Sequence, residues 1–323
     1  MDLSSLLRRY GVEDINGRNN NGMTPLCLSV RERDYDILVY LIKEGADLNV
    51  SSKIKNKFLN GYSFVNPLRD ACAICDYEMV KILVESGANV NLKDDGYGGT
   101  ALHTICSSNK LSASLMMTGK KDIRTDNEFG KTVLKIAEFL IENGADISAR
   151  TEIGSLPIHI ASFLSYGNND LIRLLIMKGS RLTVDVKDNY GNTPLHYAAR
   201  SGWTEIINEL LLSGSDINSL NEEAENPLHV AVKSEQRTAI KLLIEKGAKV
   251  NIVDIKGNSP LHSSVKRKGI KSGIIEILLQ GGANLCLEDS EGKIPIFYAR
   301  GNRQVYQLLK KYGSKGIGLF GLW

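Results

Sequence analysis

Five histidines, at positions 103, 159, 196, 229 and 262, and the pair Cys72-x-x-Cys75 are the residues of this 323-residue chain whose types invite a chemical role. Imidazoles bind zinc or carry protons, and a Cys-x-x-Cys pair holds a metal or cycles between thiols and disulfide. Their spacing argues for something else. Each histidine stands two residues after a proline, or after Ala101 where that proline is replaced, so one positional rule accounts for all five. A structural zinc site needs four ligands, and no second cysteine pair lies near Cys72 and Cys75. Cys72 and Cys106 occupy a slot that wants a small buried hydrophobe, Cys27 takes a histidine slot and Cys286 a hairpin asparagine slot. Reduced core thiols and no metal are therefore expected. The patterns G-x-x-x-x-G-K-[ST], G-x-S-x-G and H-E-x-x-H do not occur, and no carboxylate pair stands out from solvated helix faces. The expectation is a protein that is not an enzyme, with no catalytic residue and no cofactor.

The elements that position these residues follow from the prolines. All seven, at 25, 67, 157, 194, 227, 260 and 295, precede Leu or Ile, and those at 194, 227 and 260 step by 33 residues. A proline fits the first turn of a helix, where its missing N–H costs nothing, and a preceding Thr, Ser or Asn accepts the free N–H groups of that turn. Cap tetrapeptides begin at Thr24, Asn66, Thr100, Leu156, Thr193, Asn226, Ser259 and Ile294. A second apolar helix ends at a glycine able to take positive φ, at Gly45, Gly87, Gly144, Gly179, Gly214, Gly247 and Gly282. A hairpin such as Ala248-Lys249-Val250-Asn251 then leads to the next cap.

The best copy, Asn189-Tyr190-Gly191-Asn192-Thr193-Pro194-Leu195-His196-Tyr197-Ala198-Ala199, resembles the G-x-T-P-L-H-x-A-A signature of the ankyrin-repeat family. The resemblance implies an all-α fold, an ankyrin-repeat solenoid of helix-turn-helix units joined by β-hairpin loops. We read residues 1–313 as a single array of about eight repeats with an N-terminal half-repeat at 1–16, followed by a short apolar tail at 314–323. That tail folds back on the last repeat, serves as a partner peptide or is a truncation scar. The family implies that each histidine bonds to backbone between units. It also implies that Asn49, Asn91, Asn218 and Asn251, each eight residues after a Leu, are turn residues or substrates of an asparaginyl hydroxylase.

Two breaks in the period stand out. Pro25 to Pro67 spans 42 residues, and the excess over 33 lies in 51–65, read as an elongated hairpin finger. Ala101 to Pro157 spans 56, with its excess within 107–135. Here a loop precedes a long second helix at 132–143, or else Thr132 begins a degenerate cap.

The family's binding residues come mainly from hairpin tips and first helices. Carried onto this sequence, they are Lys187, Asn189, Tyr190, Tyr197, Arg200, Trp203, Lys233, Ile255 and Lys256. Trp203, just after Gly202, is the sharpest of them, since aromatics and Arg dominate interface hot spots. Its alternative is packing on the neighbouring unit. The basic run Lys266-Arg267-Lys268 with Lys271 is a solvated face or meets an acidic partner surface.

Forty basic residues against thirty-seven acidic ones leave a formal charge of +3, which gives no general reason to expect nucleic acid or membrane as partner. No apolar run approaches the roughly 18 residues that span a bilayer. The N-terminus lacks a secretion pattern, so the host cytoplasm, and also the nucleus, are the expected locations of a monomer. Irregular repeat lengths and Asn- and Lys-rich hairpins are similar to the ankyrin host-range proteins of poxviruses. That likeness implies a module that sequesters a host protein of innate-immune or cell-death signalling. Members of that group commonly carry a C-terminal F-box-like segment, for which about ten residues after Gly313 leave no room. The alternatives are an adaptor of a cullin-type ubiquitin ligase and a cellular or bacterial ankyrin scaffold.

Overall fold

A computed structural model of the chain describes residues 2–56, 61–108, 126–164, 169–179, 184–267 and 272–316. The chain packs as two compact units, Met1–Ser180 and Arg181–Trp323.

The first unit opens with helix α1 (Leu3–Tyr10), followed by the pairs α2 (Pro25–Glu32) with α3 (Tyr35–Lys43) and α4 (Pro67–Ala73) with α5 (Tyr77–Glu85). Next come α6 (Ala101–Ser107) with α7 (Asp126–Glu142), and α8 (Pro157–Leu164) with α9 (Asn169–Gly179). Between α3 and α4 stands an antiparallel ribbon, β1 (Ser52–Asn56) and β2 (Gly61–Val65), in register from Ser52 opposite Val65 to Asn56 opposite Gly61. The second unit holds α10 (Pro194–Ser201) with α11 (Thr204–Leu212), α12 (Pro227–Lys233) with α13 (Arg237–Glu245), and α14 (Pro260–Lys266) with α15 (Ser272–Gln280). It closes with α16 (Pro295–Tyr298), a 3-10 turn at Ala299–Gly301 and α17 (Arg303–Gly316).

Each first helix begins as the sequence predicts. Thr24, Asn66, Thr100, Thr193, Asn226, Ser259 and Ile294 are extended residues directly before their helices. The second helices end in paired backbone bonds around a left-handed glycine. In α3 the Gly45 N–H donates to Ile42 O (3.1 Å) and the Ala46 N–H to Leu41 O (3.0 Å), with Gly45 at φ 87°. The same pair of bonds recurs at Gly87, Gly144, Gly214, Gly247 and Gly282. Gly179 differs, since it is the last helical residue of α9.

Apolar residues of both helices in each pair build the core. In the second unit Leu195, Ala198 and Ala199 pack with Ile206, Ile207 and Leu210, and Leu228, Ala231 and Val232 with Ala239, Ile240 and Leu243, all fully buried. The small alanines let paired helices approach closely.

Within the long period at 101–157, α7 follows α6 as an unbroken helix and starts six residues earlier than the sequence pattern indicates. Thr132 lies inside it and its Oγ1 donates to Glu128 O (3.0 Å), so it does not cap a helix. The inserted residues 109–125 lie outside the described residues, as do Lys268, Lys271 and 317–323 of the tail. The long period at 25–67 holds the ribbon. Elsewhere among the described residues the hairpin-shaped connections are turns rather than strands, closed by short-range bonds such as Asp188 N–H to Asn192 O and Gly191 N–H to Asp188 O (both 3.0 Å).

Candidate protein-binding face

Each histidine of the second unit serves the fold. The Nδ1 of His196 accepts the Thr193 N–H (3.1 Å), which leaves its proton on Nε2, directed at Glu225 O (2.9 Å) just before the next cap. His262 repeats this arrangement with Ser259 and Lys293 O, and Nε2 of His229 meets Asn258 O at 3.2 Å. In the first unit His103 joins Thr100 to Ser155 O (3.1 Å), and His159 Nδ1 accepts the Leu156 N–H. Burial holds His103 and His196 down to about 4 and lowers His229 and His262, so these rings are neutral. For His103, His196, His229 and His262 this is the backbone bonding between repeats that the resemblance implies. Cys27, in a histidine slot, is covered differently: Ser52 Oγ accepts the Thr24 N–H (3.3 Å) and donates to the Cys27 Sγ (3.6 Å). Cys27, Cys72, Cys75 and Cys106 are buried free thiols, and burial pushes Cys27 up to about 12. Among the described residues no group of three or more His, Cys, Asp or Glu side chains is placed to hold a metal.

The hairpin tips rest on a residue that the sequence reading passed over. Asp188 Oδ1 accepts the Tyr190 and Asn192 N–H groups (both 2.9 Å). Asn221, Asp254 and Asp289 do the same in the next three tips. Their signal was legible, since each stands five residues before a cap and so follows the period of the prolines. Successive tips are joined backbone to backbone: the Glu222 N–H donates to Tyr190 O, the Ile255 N–H to Glu223 O and the Ser290 N–H to Lys256 O, each at 3.0 Å. The asparagine hairpins are tied in a similar way. Asn218 Oδ1 accepts the Lys249 N–H (2.8 Å) and Asn251 Oδ1 the Asn284 N–H (2.8 Å).

On this scaffold the predicted residues separate into groups. Tyr190 (56% exposed) and Ile255 (60%) stand out at the tips, with Asn189 and Lys256 exposed beside them. Lys187 is exposed while its Nζ donates to Leu220 O (2.8 Å). Tyr197, Arg200 and Lys233 line a cleft of about 330 Å³ between α10 and α12, together with Asn192, Asn221, Val230 and Ser234. The Tyr197 hydroxyl donates to Asp188 Oδ2 (2.6 Å), which fixes the ring as a wall. Glu225, its side chain 9% exposed, pairs with Lys233, which is 47% exposed. Trp203 does not line the cleft. It is half-buried at the N-terminal boundary of α11, and its N–H donates to Ala198 O (3.2 Å). Of the basic run, Lys266 pairs with Asp289 (2.8 Å) and Arg267 with Glu235 (2.8 Å).

Helix pairs capped at Pro, locked by a shared histidine and fringed by exposed tips define a repeat scaffold for protein binding, and the chain belongs to the ankyrin repeat family. The family model described as "Ankyrin repeats (3 copies)" matches residues 68–151, 134–221, 158–254, 204–289 and 228–317, and the model "Ankyrin repeat" matches 21–53. Among similar proteins is the fowlpox virus (strain NVSL) ankyrin repeat protein FPV230, 31% identical over 185 residues, covering 54% of this chain and 92% of that protein. A second fowlpox virus protein, FPV031, is 33% identical over 196 residues, covering 56% of this chain and 55% of its own length. The crystal structure of the human ASB11 ankyrin repeat domain superposes with a TM-score of 0.61 at 26% identity, covering 77% of this chain and 98% of that one. The fold is an interaction scaffold, and no described helix is long and apolar enough to cross a membrane.

Proposed function

We propose that this protein binds and sequesters a host protein of innate-immune or cell-death signalling, as a viral host-range factor acting in the host cytoplasm. The observation that carries this reading is the similarity to FPV230 across 92% of that viral protein, without a sign of catalytic chemistry in the sequence. The face offered to the partner is formed by the tips and first helices of the second unit, where Tyr190 and Ile255 provide apolar anchors and Arg200 and Lys233 provide charge. Occupying a surface of the captured protein needs no reaction, and a rigid array presents its side chains with little ordering cost.

Affinity capture from infected or transfected cells tests the proposal. A single stoichiometric host signalling protein, lost with Tyr190→Ala, is the expected result. Recovery of a cullin and its linker protein would move the reading to a ligase adaptor. Unchanged capture by a variant carrying both Tyr190→Ala and Trp203→Ala would show that the wrong face has been chosen.

A further inference from the structure

We propose that the last repeat docks on an anionic lipid surface, its basic side chains lying against the headgroups and the apolar segment 317–323 entering the boundary between headgroups and acyl chains. The balanced total charge conceals how unevenly charge is spread. From Gly292 to Trp323 there is no Asp or Glu, while Lys293, Arg300, Arg303, Lys310, Lys311 and Lys315 are basic. The rest of the chain, with thirty-four basic against thirty-seven acidic residues, is net negative. A stretch of one sign at one end of a chain is the pattern of a surface that meets an oppositely charged partner.

The fold decides which of these charges are available. Lys293 is paired with Glu291, and Lys311 has an interaction of its own, so neither is counted. Arg303 and Lys310 are exposed on α17 and form no ion pair with any described residue. Two helical turns apart, they share one stripe, while Val305 and Leu309 on the other side are buried in the array. Arg300, exposed just before α17, lies over the Phe297 ring at 4.4 Å and has no carboxylate partner. The carboxylates around them do not cancel these three cations. Asp289 is held by Lys266 and Glu291 by Lys293, while Glu288 on the preceding hairpin and Glu276 on α15 are exposed and pair with none of the three.

The segment beyond the helix selects a lipid surface over other anions. It reads Ile317-Gly318-Leu319-Phe320-Gly321-Leu322-Trp323, apolar or glycine throughout. Such a stretch is far below the roughly 18 residues that span a bilayer, yet Leu, Phe and Trp partition into its interface. The apolar side of α17 is occupied by the array, so the helix contributes charge and the segment contributes apolar area. Each basic residue near an anionic surface tightens binding about fivefold, and one short apolar anchor alone binds marginally, so the two signals act together. A nucleic acid would answer to the cations but offers no acyl phase to Ile317, Leu319 and Leu322. The surface uses none of the residues proposed to hold the partner protein, so the two contacts are independent.

The test is sedimentation of the full chain with vesicles of phosphatidylcholine, alone or with about 30% phosphatidylserine. Binding is expected only to the vesicles with phosphatidylserine and should weaken as salt rises. R303Q/K310Q should weaken it about thirtyfold, at about fivefold for each charge. R8Q/K43Q, which removes two exposed cations of the first unit, should leave it unchanged. F320S/W323S should weaken it about fivefold or more. The two tryptophans are Trp203 and Trp323, so in W203F the emission of Trp323 reports on the segment and should shift to shorter wavelength on these vesicles. Equal sedimentation with both kinds of vesicle, equal loss with R8Q/K43Q, unchanged binding by F320S/W323S or an unshifted emission would each overturn the proposal. So would release of the protein by oligouridylate at an equal concentration of phosphate groups, which would assign the basic face to nucleic acid.

Discussion

At the scale of single residues, the chain uses its reactive side chains to hold backbone in place. A histidine kept neutral in the folded state, with its pKa about 4 against an ordinary 6.5, stabilises fully above pH 6.5 and loses that contribution as pH falls toward 4. In that window the unfolded chain takes up a proton that the folded ring excludes. For His103 and His196 the difference is on the order of 3 kcal/mol each. Urea midpoints are therefore expected to drop steeply between pH 6.5 and 4.5. His196→Asn should be less stable at pH 7 yet show a shallower drop; an unaltered slope would contradict this account. A second residue-scale expectation concerns Asp70, which is buried and accepts two bonds from Arg31, at 2.8 and 3.0 Å. Asp70→Asn strands the guanidinium, and denaturant melts should register a loss of about 3 kcal/mol.

At the scale of elements, the tips are stabilised by close backbone approach. A Cβ on Gly191 would meet the Glu222 N at 2.7 Å, and one on Gly257 the Ser290 N at 2.7 Å. Gly292 has a similar φ of 70° with nothing within 4 Å of that position. Gly191→Ala and Gly257→Ala should therefore cost about 3 kcal/mol, combining strain and clash, against about 1 for Gly292→Ala from the backbone conformation alone. Ala224 occupies the equivalent place in the tip between them at φ 55°, and Ala224→Gly should raise thermal stability by about 1 kcal/mol. Thermal melts of the four variants give the ranking, and equal losses for Gly257 and Gly292 would remove the close approach as its cause. These elements also show what could be read beforehand. Prolines, caps and glycines announce themselves because one residue type at one spacing performs one local task. The start of α7 at Asp126 could not be read, since its first turn carries no cap motif of the repeating kind. Ser52 replacing a histidine could not be read either, because its partners Thr24 and Cys27 lie a helix pair away.

At the scale of the whole molecule, function rests on what varies while the repeat is kept. The sequence located the tips and the first helices, and it marked Tyr197, Arg200 and Lys233 individually. It did not reveal that these three meet in one cleft with Glu225, because that meeting depends on side chains of neighbouring repeats converging across helices. Trp203 attracted notice for its residue type, yet the cleft is built without it. Lys233→Glu should reduce partner capture and also lower the melting temperature, since it sets a like charge beside the nearly buried Glu225, whereas E225Q/K233Q should reduce capture with a smaller change in melting, which capture and melting measured in parallel would establish. The shared histidine bond also has a direction along the chain. His196 and His229 each wait for a carbonyl 29 residues later, and His262 for one 31 residues later. On the ribosome, then, no repeat is latched by its own synthesis: the newest is always the open one, and the emerging array closes one unit behind the growing end.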